Sequence, residues 1–234
     1  MWQAMKIAIR AEGPTDIGSL DINGTLKKGP MLILLEKLNC YQELLVQLGF
    51  DEGLNIDDFI QWEYIHKHDI KVSTKNRRRV VLRSKKDNGF SGIKGFYNNS
   101  EAFACIAKEK EADLAIFFVD TDKDFSEDRI AQIKAGLSVH GYDKTGVPMI
   151  PVKISEAWLM CCLSGYQNCV DHENATTDKT SDKYPKKVCD TSGYTRHEIA
   201  ENCDPNRIDM PSFNRFRDDF KVAVNSCMGY TICT

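Results

Sequence analysis

Three groups of carboxylates stand where consecutive parallel strands would bring them to one edge of a sheet. Glu12 and Asp16 follow the β-forming segment Met5–Arg10 in MKIAIRAEGPTD. Asp120, Asp122 and Asp124 follow the most apolar segment of the chain in DLAIFFVDTDKD, and Glu156 follows the apolar run that ends at Lys153. Carboxylates held close together repel one another unless a cation sits between them, and an all-oxygen set favours Mg2+ or Mn2+ over zinc. Each group alone has an ordinary reading: a Glu-Gly turn, a strand-end Asp pair, a helix acid in the first turn that suits the macrodipole. Their recurrence at successive strand ends points to one divalent-metal site built on Glu12, Asp120 and Asp122.

The elements that must position these residues alternate. Met5–Arg10 reads as a strand ended by Gly13 and Pro14. Gly29–Leu48 carries apolar residues at helical spacing and stops at Gly49, which predicts one long helix. Phe59–His66 reads as a strand and Ser100–Glu111 as a helix with Ser100 as its N-cap. Asp113–Val119 is a continuous apolar run, the pattern of a strand buried on both faces. Ser126–Val139 follows as a helix, Val147–Val152 as a strand and Ser155–Leu163 as a helix. This rhythm predicts an α/β fold with a mainly parallel central sheet and helices on both faces. Gly165–Lys183 is polar and reads as a long loop, followed by short helices near Arg196–Asn202 and Pro211–Cys227. The last of these places Phe213, Phe216, Phe220 and Val224 on one face, for core packing or for docking a partner.

Composition narrows the function classes. The 234 residues are 42% hydrophobic and 28% charged, an ordinary globular balance, and the net charge of -3 excludes a generic polyanion binder. No apolar run approaches the roughly 20 residues a bilayer span needs, and the N-terminus carries no signal-peptide pattern, so a cytoplasmic protein is expected. The nine cysteines include no CxxC pair, which argues against a disulfide framework or zinc ribbon and for reduced thiols. His66-x-His68 and Cys169-x-x-His172 have metal-ligand spacing but read as incidental. One local patch is strongly basic: Lys75, Arg77, Arg78, Arg79, Arg83, Lys85 and Lys86 occur with no acid among them. Such a run can grip several phosphates, Arg77–Arg79, Arg83, Lys85 and Lys86 being the nucleic-acid-binding candidates, or it can be a charged solvated edge.

IAIRAEGPTD resembles the first motif of Toprim domains, a strand ending in Glu-Gly with an Asp shortly after, and LAIFFVDTDKD resembles their second, an apolar strand ending in Asp-x-Asp. ISEAWLM, from Ile154 to Met160, is similar to a segment of small stand-alone Toprim-like bacterial proteins. The resemblance covers residues 5–165 in order of elements and rests on some twenty of them; the two motifs are farther apart than usual, with the extra length around residues 50–99. It implies a Toprim-like domain over 1–165 with a basic insertion, a loop and helical extension over 166–234 packed on it, and Mg2+- or Mn2+-dependent phosphodiester chemistry. By position, Glu12 would be the acid/base or first metal ligand, Asp16 a further ligand, Asp120 and Asp122 the metal-binding pair and Glu156 another ligand. Lys153, or Lys186 or Lys187, would supply a cation to the transition state.

The chain is too short for a topoisomerase and lacks a primase's zinc module, which leaves a hydrolytic nuclease close to the OLD-like enzymes of phage defence. Those enzymes carry an ATPase; this chain has no GxxxxGK[ST] loop, so a separately encoded ATPase is the expected partner, beside nucleic acid (DNA or RNA) and with a homo-oligomer left open. Two alternatives stand against the nuclease: a non-catalytic Toprim-like subunit for assembly or nucleic-acid binding, and a HAD-like Mg2+ phosphatase, whose DxDxT belongs at the first strand rather than a late one.

Overall fold

Five consecutive buried residues, Leu114 to Phe118, form strand β5 at the centre of a parallel sheet. Side chains alternate across a strand, so Leu114, Ile116 and Phe118 enter one core and Ala115 and Phe117 the other. The computed structural model describes residues 4–11, 13, 15–22, 26–73, 95–120 and 127–229. Within them the order is β1 (Met5–Ala11), the short antiparallel pair β2 (Gly18–Leu20) and β3 (Leu26–Lys28), α1 (Pro30–Glu36), α2 (Asn39–Gln47), β4 (Ile60–His66), α3 (Gly95–Glu109), β5, α4 (Glu127–Ser138) and β6 (Gly146–Met149). Then come α5 (Glu156–Leu163), α6 (Cys169–Glu173), α7 (Pro185–Thr191), α8 (Arg196–Asn202) and α9 (Pro211–Met228). The central sheet runs β4-β1-β5-β6 with every pairing parallel, and residues from helices cover both faces, so the chain is an α/β protein with a mainly parallel sheet.

One face carries α1, α2 and the helices after β6. Their core includes Ile7 and Ile9 of β1 together with Trp158, Phe213, Phe216 and Phe220. The Trp158 ring meets Phe213 edge-on at 4.9 Å between centroids, and its indole N–H donates to Ser212 Oγ at 3.0 Å. The phenylalanine face of α9 is therefore spent on the core and is not a docking face. The other face carries α3 and α4, with Phe103 edge-on to Phe117 at 5.5 Å. A β-carbon at Gly136 would collide with Ser100 Oγ and come within 2.6 Å of the Tyr97 carbonyl, so only glycine lets α4 lie this close to α3.

Four expectations change. The helix expected over 29–48 is broken at Leu38, whose backbone is extended (ψ 139°) and whose side chain is buried. The freed backbone groups find a partner far away in sequence: Asn206 Oδ1 accepts from the Asn39 N–H at 3.0 Å and its Nδ2 donates to the Lys37 carbonyl at 3.2 Å. Ser100 is not an N-cap. It lies inside α3 and donates to the Phe96 and Tyr97 carbonyls at 2.8 and 3.0 Å, the back-bonding a mid-helix serine adopts. The stretch 165–183, expected as one long loop, holds the short helix α6, whose first residue Cys169 is buried. The thiols are not uniformly reduced, because Cys161 is bonded to Cys169 and Cys162 to Cys203, while among the described residues Cys40, Cys105, Cys189 and Cys227 take no part in a disulfide. Packing of the C-terminal helices against α5 brings these pairs together, which spacing along the chain does not reveal. Among the described residues no helix is long and apolar enough to cross a membrane.

Candidate metal site at the carboxyl edge of the sheet

From β1 the chain goes first to β4 on one side and then to β5 on the other, so the strand order reverses between β1 and β5. In open parallel sheets the crevice beyond the carboxyl ends at such a switch point is where ligands bind, because the loops there diverge to opposite faces. The chain leaves β1 at this crevice, and Asp120 lies two residues beyond β5. Register fixes their neighbourhood: Ile9 pairs with Ile116, and the Arg10 guanidinium donates to the Phe118 carbonyl and lies 4.8 Å from the Phe117 ring centroid.

Asp16 is held by its own loop. Its carbonyl accepts from the Met31 N–H at 2.9 Å in the first turn of α1, and a β-carbon on Gly29 would collide with that same carbonyl. Gly29 is thus the residue that lets the β2–β3 excursion close back on Asp16. The Asp16 carboxylate then faces α5: Oδ1 accepts from Ser155 Oγ at 3.4 Å, and Ser155 is buried immediately before Glu156. Asp120 is half-buried, with Oδ1 shut off from solvent. Carboxylate and hydroxyl oxygens from Asp16, Ser155 and Asp120 suit a hard divalent cation in donor chemistry.

Glu156 and Lys153 are committed elsewhere. Glu156 is 5% exposed, and its Oε1 lies 2.6 Å from Nη1 of Arg196 on α8. The same guanidinium reaches Asp190 at 2.7 Å. Burial works against the Arg196 charge, but the hydrogen bond to Asp190 and the negative charge of Glu156 outweigh it and raise its proton affinity. Lys153 takes a left-handed backbone (φ 64°) and its ammonium donates to the Asn174 and Ala175 carbonyls at 2.9 and 2.7 Å, so it braces the segment after α6. A non-glycine residue at positive φ stores strain and persists where surrounding contacts over-determine it, as these two bonds do.

Of the residues expected at the site, Asp16 and Asp120 sit at this edge, and Asp16 meets the start of α5 through Ser155. Glu12, Asp122 and Asp124 lie outside the described residues, as does the basic run with Arg77, Arg78, Arg79, Arg83, Lys85 and Lys86. Among the described residues no group of three or more His, Cys, Asp or Glu converges as a cation site. Cys169 is disulfide-bonded, which removes Cys169-x-x-His172 as a ligand pair, and His66 ends β4 with its N–H bonded to Asp69 at 3.3 Å.

Two residues escape a reading of the sequence. Arg10, the next-to-last residue of β1, is 3% exposed. A lone cation in IAIRA is the available signal, since burying one requires a dedicated partner. Ser155 gives none beyond its place before a helix. No family model, no curated protein and no solved structure matches the chain.

Proposed function

We propose that the chain is a Mg2+- or Mn2+-dependent nuclease of Toprim-like fold that cleaves phosphodiester bonds of DNA or RNA, working in phage defence with a separately encoded ATPase. The single observation that carries the reading is the strand order. The segments bearing Glu12-Asp16 and Asp120-Asp122 follow adjacent parallel strands on either side of the switch point. Asp16, Asp120 and, by sequence, Glu12 and Asp122 would hold the ion; when bound it would polarise a phosphoryl oxygen and favour ionisation of an attacking water. The chain's own contribution is to fix carboxylates at the edge: Gly29 and Met31 lock the Asp16 loop, and Arg10 ties β1 to the end of β5. The basic run would hold the backbone of the nucleic acid.

A second reading, a non-catalytic Toprim-like subunit, draws on the commitment of Lys153 and Glu156 to contacts away from the crevice. Manganese separates the two. For the nuclease, millimolar Mn2+ raises the melting temperature of wild type by mass action, and Asp120→Asn or Asp122→Asn abolishes both that shift and cleavage while leaving the apo protein as stable or more so. No shift in wild type, with variants that simply melt earlier, removes the metal site and the nuclease with it. Cleavage is expected to be slow for the chain alone and to rise with its ATPase partner; robust cleavage by the purified chain at physiological Mg2+ removes the partner from the proposal.

A further inference from the structure

Helix α5 carries two adjacent cysteines bonded in two directions. Successive helical residues point about 100° apart, so the two bridges fasten different faces. Cys161 joins Cys169 at the start of α6, eight residues on, and both are buried (0% and 4% exposed). Cys162 joins Cys203, forty-one residues on, at the end of α8. Cys203 is buried but Cys162 is partly exposed, so this bridge has one end nearer solvent, whereas both ends of the other are buried.

The second bridge is one of two ties between the same helices. Glu156, in the first turn of α5, is ion-paired to Arg196, the first residue of α8; Cys162, near the other end of α5, is bonded to Cys203, which follows α8. The helices are therefore clamped at both ends, side by side. The clamp reaches the sheet edge, because Ser155 beside Glu156 donates to Asp16. Without the covalent tie, α8 is held to α5 there by the ion pair and by packing of Ile199 and Ala200, while Lys37 donates to the Glu201 carbonyl from the α1 side.

We propose that Cys162–Cys203 is a thiol–disulfide exchange site whose opening loosens α8 from α5 and releases Glu156 from Arg196. The co-reactant is a dithiol reductant. Its thiolate attacks Cys162 Sγ, the Cys162–Cys203 bond breaks and Cys203 leaves as a thiolate. The reductant's second thiol then resolves the mixed disulfide, so two electrons and two protons pass to the cysteine pair and the reductant departs as its own disulfide. Released Glu156 becomes an additional carboxylate for the cation at the Asp16–Ser155 edge; this consequence rests on the proposed metal-dependent function, whereas the exchange and loosening do not.

The test uses the oxidised full-length chain, treated with dithiothreitol under native conditions, then tagged with a maleimide and mapped by peptide mass, with amide hydrogen exchange measured in parallel. The expected result is tagging of Cys162 and Cys203 before Cys161 and Cys169, and exchange over 155–160 and 196–203 faster by about tenfold. Cys162→Ser/Cys203→Ser should show the fast exchange without reductant and no further response to it, whereas Cys161→Ser/Cys169→Ser should still respond. Simultaneous tagging of all four, or unchanged exchange after Cys162 and Cys203 are tagged, overturns the proposal. Manganese titration by calorimetry should show tighter binding to the reduced form. Faster exchange with equal manganese affinity overturns the link to Glu156, while no binding in either state overturns the metal reading alone and leaves the exchange site standing.

Discussion

Replacing Arg196 with methionine tests whether an ion pair rather than a cation fixes Glu156. The side chains are 19% and 7% exposed at a separation of 2.6 Å, so the pair is largely withdrawn from solvent. Removing one partner of a fully buried pair leaves an uncompensated charge and costs about 3–5 kcal/mol. The residual exposure of Arg196 lets water relieve part of this, which lowers the expectation to about 2–4 kcal/mol. The contact to Asp190, whose side chain is 54% exposed, adds at most about 1 kcal/mol. For a chain of this length each kcal/mol corresponds to about 2–4 °C, so Arg196→Met should melt roughly 4–20 °C below wild type in calorimetry. Glu156→Gln in that background removes the stranded charge and should recover about half of the deficit, a coupling on the order of 1–3 kcal/mol in a double-mutant cycle. Under the metal reading, millimolar Mn2+ should also stabilise Arg196→Met more than wild type, because the carboxylate is no longer claimed. If Arg196→Met stays within about 0.5 kcal/mol of wild type, Arg196 does not hold Glu156 and the reasoning fails.

Three further outcomes are expected. Arg77→Ala/Arg78→Ala/Arg79→Ala should weaken nucleic-acid binding and flatten the log–log salt dependence by about one unit for each phosphate no longer neutralised, read by fluorescence anisotropy across a salt series; an unchanged slope makes the run a solvated edge. Asn206→Ala should cost about 1–3 kcal/mol by urea unfolding, since it strands the Lys37 carbonyl and the Asn39 N–H at the α1–α2 break. Burial raises the Glu36 carboxyl above its ordinary value despite the Lys28 ammonium 2.6 Å away. A raised acid contributes stability that is fully present below its unfolded value and is lost as pH rises through its folded one, so Glu36→Gln should gain thermal stability over wild type near neutral pH, a gain that vanishes below about pH 4.5.

What is legible in the sequence is what local pattern determines. LAIFF announces a doubly buried strand because every position is apolar, and the following Asp120 falls at its carboxyl end for the same reason. Pro211–Cys227 is readable as a helix because Phe213, Phe216 and Phe220 keep helical spacing, and the capping box of Thr195 and Glu198 marks the start of α8. What misleads is residue type read without context. Leu38 fits an unbroken helical stripe, yet the chain breaks there because a distant asparagine satisfies the groups the break exposes. Ser100 is a good N-cap by type, but α3 begins five residues earlier and its hydroxyl turns inward. The cysteine pairs are invisible locally, since Cys162 meets Cys203 only after α5 and α8 have packed.

The misreadings at Leu38 and at the cysteines share a source, and it bears on function. Asn206, Arg196 and Cys203 all belong to the segment after residue 166, and each makes a contact with an element that frames the carboxyl edge: Asn206 with the joint behind α1, Arg196 with the first turn of α5, Cys203 with its far end. Helix α1 starts at the Asp16 carbonyl and α5 starts beside the Asp16 carboxylate. The C-terminal segment therefore grips both helices whose N-termini meet at Asp16. A change of state in that segment, such as opening one disulfide or docking of a partner, is transmitted to the edge through two rigid elements rather than a flexible loop. Coupling of this kind predicts that variants of Arg196 and Cys203, which do not touch the crevice, shift cation affinity, whereas equally destabilising changes on the α3–α4 face, such as Gly136→Ala, lower stability without shifting it.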